Sequence, residues 1–116
     1  MGYSMCDAES VEAVHGVFRP IRRELGATAF GINQLDFPPD ADKYPNHDHT
    51  EDGQQEVYYV LSGSGRLEIE GEDVELKPGR YVLVDPETKR KVWAGENGLS
   101  IIVVGSPPGA YQPHPG

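Results

Sequence analysis

The sequence has little cysteine, few basic residues and no long apolar run. Its single cysteine, Cys6, permits no internal disulfide, as is typical of a reducing compartment, so we expect a cytoplasmic protein. Only 10 Lys and Arg residues stand against 19 Asp and Glu, which gives a formal net charge of -9. A surface for nucleic acid or an anionic membrane needs clustered cations, so neither is an expected partner. No apolar run is long enough for a signal peptide or a bilayer span.

Glycine and proline, by contrast, are plentiful. The 116 residues, enough for one domain, include 14 Gly and 10 Pro, which separate short runs rich in apolar residues. Runs that recur about every 8 to 12 residues are typical of a sandwich or barrel. The pattern predicts an all-β fold with strands at 28–37, 56–61, 66–70, 74–76, 81–84, 89–94 and 99–104.

We expect the chain to have three parts. Residues 1–26 form an N-terminal segment that packs on a β-barrel of residues 27–105, and residues 106–116 form a Pro/Gly-rich tail. Apolar residues spaced three apart predict a short helix over 7–15. The segment 18–25 contains a proline and fits either a strand or one helical turn.

Two of the predicted strands are apolar on both faces. These are residues 57–61 and 99–104, whereas a strand exposed on one side alternates apolar and polar residues. One face fills the barrel, and the other needs a cover from the N-terminal segment, the tail or a second subunit. We expect a homodimer, in preference to a monomer that covers itself.

One group of residues has metal-ligand chemistry. In an extended chain His47 and His49 project to the same side, with backbones about 6.6 to 7 Å apart. A hairpin after the loop would place Glu56 opposite His49, pointing the same way. Two imidazoles and a carboxylate suit a divalent transition metal, namely Fe, Mn, Ni, Co or Zn, and leave coordination positions open. The other interpretation is that the histidines are solvated polar residues of an acidic loop.

These residues also form a family motif. His47-Asp48-His49, followed by Glu56, six residues and Gly63, resembles the first conserved motif of the cupin superfamily. The resemblance covers most of residues 27–105 as a pattern of strands and turns. It implies a single-domain cupin jelly roll, a double-stranded β-helix barrel with a short N-terminal helical segment. It also implies that both histidines and the glutamate are metal ligands inside the barrel mouth.

The first motif departs from the family pattern in two ways. Six residues separate His49 from Glu56, where the family usually has three or four, and Ala41 replaces the usual opening glycine. The longer loop makes Gln54 and Gln55 candidates to line the site.

The second cupin motif is nearly erased. Counted from Gly79, its proline, glycine, histidine and asparagine fall on Asp85, Glu87, Arg90 and Ala94. The fourth ligand of the family is therefore replaced by Arg90, a guanidinium that cannot coordinate a metal.

Arg90 is open to three interpretations. If it faces inward, it can hold a carboxylate or phosphate beside a three-ligand metal, with Tyr58, Gln54 and Gln55 as further ligand-binding candidates. Alternatively, it pairs with Glu56 and replaces the metal, or it points outward. Three function classes follow: a small metal-dependent oxygenase or isomerase acting on a small, anionic organic molecule, a non-catalytic ligand-binding cupin, and a structural module with a degenerate pocket. Nothing in the sequence assigns a role to Cys6, His15 or His114.

Overall fold

A computed structural model describes residues 2–114, so Met1 and the last two residues of the predicted tail, 115–116, lie outside the described part. The elements are a 3-10 turn at Ala8–Ser10, β1 Phe18–Arg19, α1 Ile21–Leu25, β2 Gly31–Phe37, β3 Gln55–Ile69, β4 Glu72–Leu76, β5 Tyr81–Val84 and β6 Arg90–Ser106. The six strands form one antiparallel system in the order β1-β2-β6-β3-β4, with β5 also paired to β3. The predicted all-β jelly roll is confirmed.

The two long strands, β3 and β6, belong to both halves of the barrel. The start of β3 pairs with β5 and the end of β6, while its second half pairs with β4 and the start of β6. The strands alternate between buried and partly exposed residues, as expected of a sheet with one face on a core. The core between the halves contains Leu35, Phe37, Tyr58, Val60, Leu67, Leu76, Val84, Val92, Leu99, Ile101 and Val103.

The breaks between the predicted strands 56–61 and 66–70, and between 89–94 and 99–104, are wrong. Residues 62–65 and 95–98 instead continue the strands. The first two of these predicted strands are therefore parts of the single strand β3, and the last two are parts of β6. Register shifts between Val60 and Ser62 and between Gly63 and Gly65 bend β3 without ending its pairing. A side-chain β-carbon at Gly63 or Gly65 would collide with the backbone of β6. The glycines therefore permit a close crossing of two strands rather than a reversal of the chain.

This role of glycine predicts a difference between two substitutions. Gly63 and Gly79 share a φ of +87°, but only Gly63 has backbone atoms where a methyl group would lie. Gly79→Ala should cost the left-handed strain alone, about 1 to 2 kcal/mol of unfolding free energy. Gly63→Ala should cost about 1 to 3 kcal/mol more because of the overpacking. Urea unfolding of both variants measures the difference, and equal losses would contradict the close crossing.

The helix predicted over 7–15 is wrong. Only the 3-10 turn lies there, because Arg19 donates hydrogen bonds to the carbonyls of Ala8 and Val11 and holds this segment in an irregular path against β2. Val11 is buried while Val14 is 42% exposed, so the two valines do not form one buried face. The α-helix lies instead at Ile21–Leu25, inside the segment that fits either a strand or a helical turn. It ends at Gly26, which has a φ of +74°.

Among residues 2–114, the structure contains no helix with the length and apolar character that a bilayer crossing demands.

Candidate metal centre

Two backbone pairings hold the loop that carries both histidines. His47 and Arg90 exchange backbone hydrogen bonds of 3.0 and 2.9 Å, and the His49 N–H donates to the Pro86 carbonyl at 2.7 Å. The loop is thus extended against the chain entering β6, and both imidazoles face the same side. The predicted hairpin pairing of His49 with Glu56 is wrong, since Glu56 pairs with β5 and β6. The side chains nevertheless meet, because His49 is hydrogen-bonded to Pro86, which lies two residues after Val84, the β5 partner of Glu56.

The structure brings His47, His49 and Glu56 together. One candidate ligand atom from each residue lies within 4.8 Å of the other two. The Nε2 atom of His49 is 3.2 Å from Glu56 Oε2, and the Nε2 atom of His47 is 3.9 Å from Glu56 Oε1. The arrangement is three-sided, with the carboxylate facing both rings.

Hydrogen bonds on the far side of each ring set the tautomers. His47 Nδ1 lies 3.1 Å from the Pro45 carbonyl, which can only accept, so this nitrogen carries the proton. His49 Nδ1 lies 3.0 and 3.2 Å from the two carboxylate oxygens of Asp52. Desolvation raises the pKa of Asp52, but the hydrogen bond from His49 helps to lower it below its usual value. The carboxylate that accepts this bond is therefore ionised. Both Nε2 lone pairs are therefore free to bind a metal.

This donor set fits a divalent ion. The Nε2 atom of His49 is buried without a hydrogen-bond partner and faces the Glu56 carboxylate, so a cation bound between the two groups would satisfy both. Imidazole and carboxylate ligands suit Fe, Mn, Co, Ni or Zn. Asp52 and the Pro45 carbonyl are the kind of outer hydrogen-bond partners that orient metal-binding histidines.

Arg90 faces inward and lies behind Glu56. Its side chain has no exposed surface, its Nη2 donates to the Asp85 carbonyl at 2.7 Å, and its Nη1 lies 3.7 Å from Glu56 Oε1. That separation is too long for a hydrogen bond, and both Nη1 and Nε are buried without a partner. A full positive charge therefore stands beside the carboxylate with two of its donor groups unsatisfied.

Two tyrosines complete the floor of the site. The Tyr58 hydroxyl donates to Glu56 Oε1 at 2.9 Å, and burial together with the Glu56 charge raises the pKa of Tyr58 well above its usual range. Burial and Glu56 also raise the pKa of Tyr44, whose ring packs edge-on against His47. Both phenols remain protonated, so Tyr58 is a fixed hydrogen-bond donor to the candidate ligand.

A cavity of about 590 Å³ opens over the cluster. It is lined by the metal-ligand candidates and by Tyr58 and Gln54, whereas Arg90 and Gln55 are not among the lining residues. The Gln55 amide instead donates to the Asp85 carboxylate. Other lining residues include Asn33, Leu35, Tyr44, Val103, Phe18, Phe30, Ser106 and Arg22.

Three residues of the site went unnoticed in the sequence. Asp52 precedes the Gly53 turn and has no motif of its own, Tyr44 lies three residues before His47, and Arg22 comes from helix α1. The spacing of Asp52, three residues after His49, was the one available signal, because a carboxylate at that distance within a turn can reach back to the ring.

The fold and the site together define a jelly-roll barrel with an inward-facing His-His-Glu cluster. The model of the cupin domain matches residues 33–105, and the chain belongs to this family. A cupin protein of Bacteroides fragilis is 22% identical with a TM-score of 0.83, covering 99% of this chain and 92% of that one. A sugar phosphate isomerase of the cupin superfamily from Silicibacter pomeroyi is 19% identical with a TM-score of 0.76, covering 89% and 75%.

Two further similarities extend the comparison. A predicted oxalate decarboxylase of Thermotoga maritima is 19% identical with a TM-score of 0.72, covering 89% of this chain and 98% of that one. An uncharacterized protein of Methanocaldococcus jannaschii is 30% identical over 59 residues, which are 50% of this chain. The match spans 47% of that relative's length. At these identities the solved structures establish the fold alone.

Proposed function

We propose that this protein is a metal-dependent cupin. It holds a divalent transition ion through His47, His49 and Glu56 and binds a small organic molecule in the cavity above. The observation that carries the proposal is the orientation of the two rings, whose Nδ1 atoms are bound to Pro45 and Asp52 and whose Nε2 atoms face the carboxylate.

The chemistry we propose is that of a small oxygenase or isomerase. A bound ion would supply a Lewis acid or an O2-binding centre with coordination positions left open by three protein ligands. The fold neighbour named as a sugar phosphate isomerase is compatible with this range. The chain itself orients the carboxylate through Tyr58 and fixes the tautomers of both histidines through Pro45 and Asp52.

The proposed ligand-binding residues act at two distances. Tyr58 and Gln54 line the cavity and can contact a bound molecule directly. Gln55 and Arg90 both meet Asp85, the first at its carboxylate and the second at its carbonyl. We therefore assign Gln55 an indirect role in holding the segment that positions Arg90.

Metal content tests the proposal directly. Protein produced with supplementary Fe, Mn, Co, Ni and Zn salts and then desalted should carry about one transition ion per chain, since the three ligands form one site. Elemental analysis gives the ratio, and Glu56→Gln, which removes the anionic ligand, should lower it severalfold. A ratio well under one ion per chain in the unchanged protein would contradict the proposal.

One observation favours a second candidate function. Arg90 Nη1 lies 3.7 Å from Glu56 Oε1 and can neutralise this carboxylate without a metal. The protein would then be a non-catalytic ligand-binding or structural cupin with a metal-free pocket. The same elemental analysis separates the two functions, because the metal-free pocket predicts no bound ion under metal-replete conditions.

We propose that the partners are a small-molecule ligand and a second copy of the chain, without nucleic acid or membrane, in the cytoplasm. The outer face of the barrel supports the homodimer. Across four strands, Ile32, Val104, Val57 and Leu83 lie side by side, and the neighbouring row is Gln34, Ile102, Tyr59 and Tyr81. The N-terminal segment lies over the β2 end of this face. Tyr81 and Leu83, at the β5 end, stay 71% and 58% exposed.

This face predicts that Leu83→Glu makes the protein monomeric. A carboxylate in the middle of a buried apolar interface has no partner and strongly disfavours association. Light scattering coupled to size-exclusion chromatography measures the mass. Tyr111→Glu, at a tail residue that is 79% exposed, is the control and should leave the dimer intact. A monomeric unchanged protein, or a dimeric Leu83→Glu variant, would contradict the proposed interface.

A further inference from the structure

We propose that the metal centre binds its ion cooperatively with a small carboxylate anion, through the charge of Arg90 below the site and of Arg22 at the cavity mouth. The inference rests on the proposed function, since it concerns how the same site takes its metal and its ligand.

The first observation is the charge balance around the three ligands. Two neutral histidines and one carboxylate contribute a single negative charge, which Arg90 already opposes from 3.7 Å. A divalent ion added to this group leaves two positive charges unbalanced in a partly buried setting. Asp52 offsets little of this, because it lies on the outer side of His49 with its side chain half exposed. A carboxylate anion on the open coordination positions offsets one of these two charges.

The second observation is the state of the Arg90 side chain. It is completely buried, and its Nη1 and Nε have no hydrogen-bond partner. A buried guanidinium with two unused donor groups is costly, and it is normally found paired with an anion. Glu56 is too distant to accept a hydrogen bond and must also serve the metal. Arg90 thus acts by charge from beneath the site, raising the affinity of the loaded centre for anions.

The third observation is the charge of the cavity itself. Among the described residues, Arg22 is the one lysine or arginine that lines the cavity. It is exposed on α1 and donates one hydrogen bond to the Ala27 carbonyl, so it stands at the mouth with donor groups to spare. In a chain of net charge -9, an arginine here gives the mouth a local positive charge.

These placements define a class of ligand. The charge of Arg90 attracts a carboxylate bound to the ion. The cavity of about 590 Å³ holds a ligand of modest size, whose negative charge Arg22 also attracts. Aliphatic and aromatic walls formed by Leu35, Tyr58 and Val103 suit a short carbon skeleton. We therefore assign the site a small organic carboxylate, and metal and anion each raise the affinity for the other.

Equilibrium dialysis of Co²⁺ with lactate or lactamide tests this coupling. The two additives match in size and differ in charge, and ionic strength is held constant. Lactate should lower the Kd for Co²⁺ by about tenfold, within the usual range of coupling between sites, whereas lactamide should leave it unchanged. Arg90→Met should bind Co²⁺ more tightly without lactate and lose most of the lactate effect.

Arg22→Gln provides a test at an exposed position that does not threaten folding. It should raise the lactate concentration needed for half of the effect about fivefold. Arg23→Gln is the matched control, because Arg23 is also exposed on α1 but does not line the cavity. Equal behaviour of the two variants would overturn the role of Arg22.

Different results would overturn the coupling between metal and anion and the metal centre itself. Co²⁺ binding that is the same with lactate and lactamide would overturn the coupling and leave the metal centre standing. An absence of Co²⁺ binding under every condition would overturn the proposed function itself.

Discussion

His49→Ala should abolish stoichiometric metal binding while leaving the barrel folded. The substitution removes one of three ligands, the one whose Nε2 is buried and 3.2 Å from Glu56. Losing an outer hydrogen-bond partner typically costs about 10 to 100-fold in metal affinity, and losing a ligand should cost more. Dialysis against Co²⁺ measures the affinity, and circular dichroism checks the fold.

The control for this variant is His114→Ala. His114 is exposed in the tail and is not part of the ligand cluster, so its removal should change Co²⁺ affinity by less than about twofold, within the variation expected of a surface substitution. Affinities for His49→Ala and the unchanged protein that agree within this margin would mean that the ion binds elsewhere.

Arg90→His should tighten metal binding by at least tenfold. It removes a positive charge 3.7 Å from Glu56 Oε1 and adds an imidazole at the position that carries the fourth ligand in the family motif. A like charge within about 6 Å of a divalent ion costs on the order of a few kcal/mol at the effective dielectric of a protein interior. Removing it therefore has a large effect even before the new ligand contributes.

Arg90→Leu separates the two contributions. It removes the same charge without adding a ligand, so its Co²⁺ affinity should lie between those of the unchanged protein and Arg90→His. Both variants remove the Arg90 donor to the Asp85 carbonyl, which keeps only the Thr88 N–H at 3.2 Å. Losing a hydrogen bond from a charged group costs about 1.5 to 3 kcal/mol of stability, which thermal unfolding will show. Unchanged Co²⁺ affinity in folded Arg90→His would contradict a charge effect of Arg90 on the site.

The sequence predicted the fold class well because its signals are local. Alternating apolar residues and turn-forming pairs specify strands wherever they occur, and most of the predicted strands are present. The exceptions are physical. Gly63 reads as a turn residue, but here it is needed for the close contact of β3 with Gly98 and Leu99 of β6, which lie over thirty positions away. The segment 7–15 read as a helix, but the distant Arg19 determines its path.

The three candidate ligands could be predicted from the spacing of His47, His49 and Glu56 in the sequence. The residues that surround them could not. His47 and His49 share a side in any extended chain, but their alignment with Glu56 depends on the backbone bridge from His47 to Arg90. The sequence left three orientations open for Arg90, and only the tertiary structure shows it buried and inward. Arg22 has no motif at all, since its place at the cavity follows from how α1 docks on the barrel.

Anomalous diffraction from crystals grown with Co²⁺ tests the central claim most directly. The account predicts one strong peak at the cobalt absorption edge, about 2.0 to 2.2 Å from the Nε2 atoms of His47 and His49 and from a carboxylate oxygen of Glu56. A peak on the acidic loop around Asp52 alone, or no peak at a metal concentration that saturates comparable sites, would contradict it.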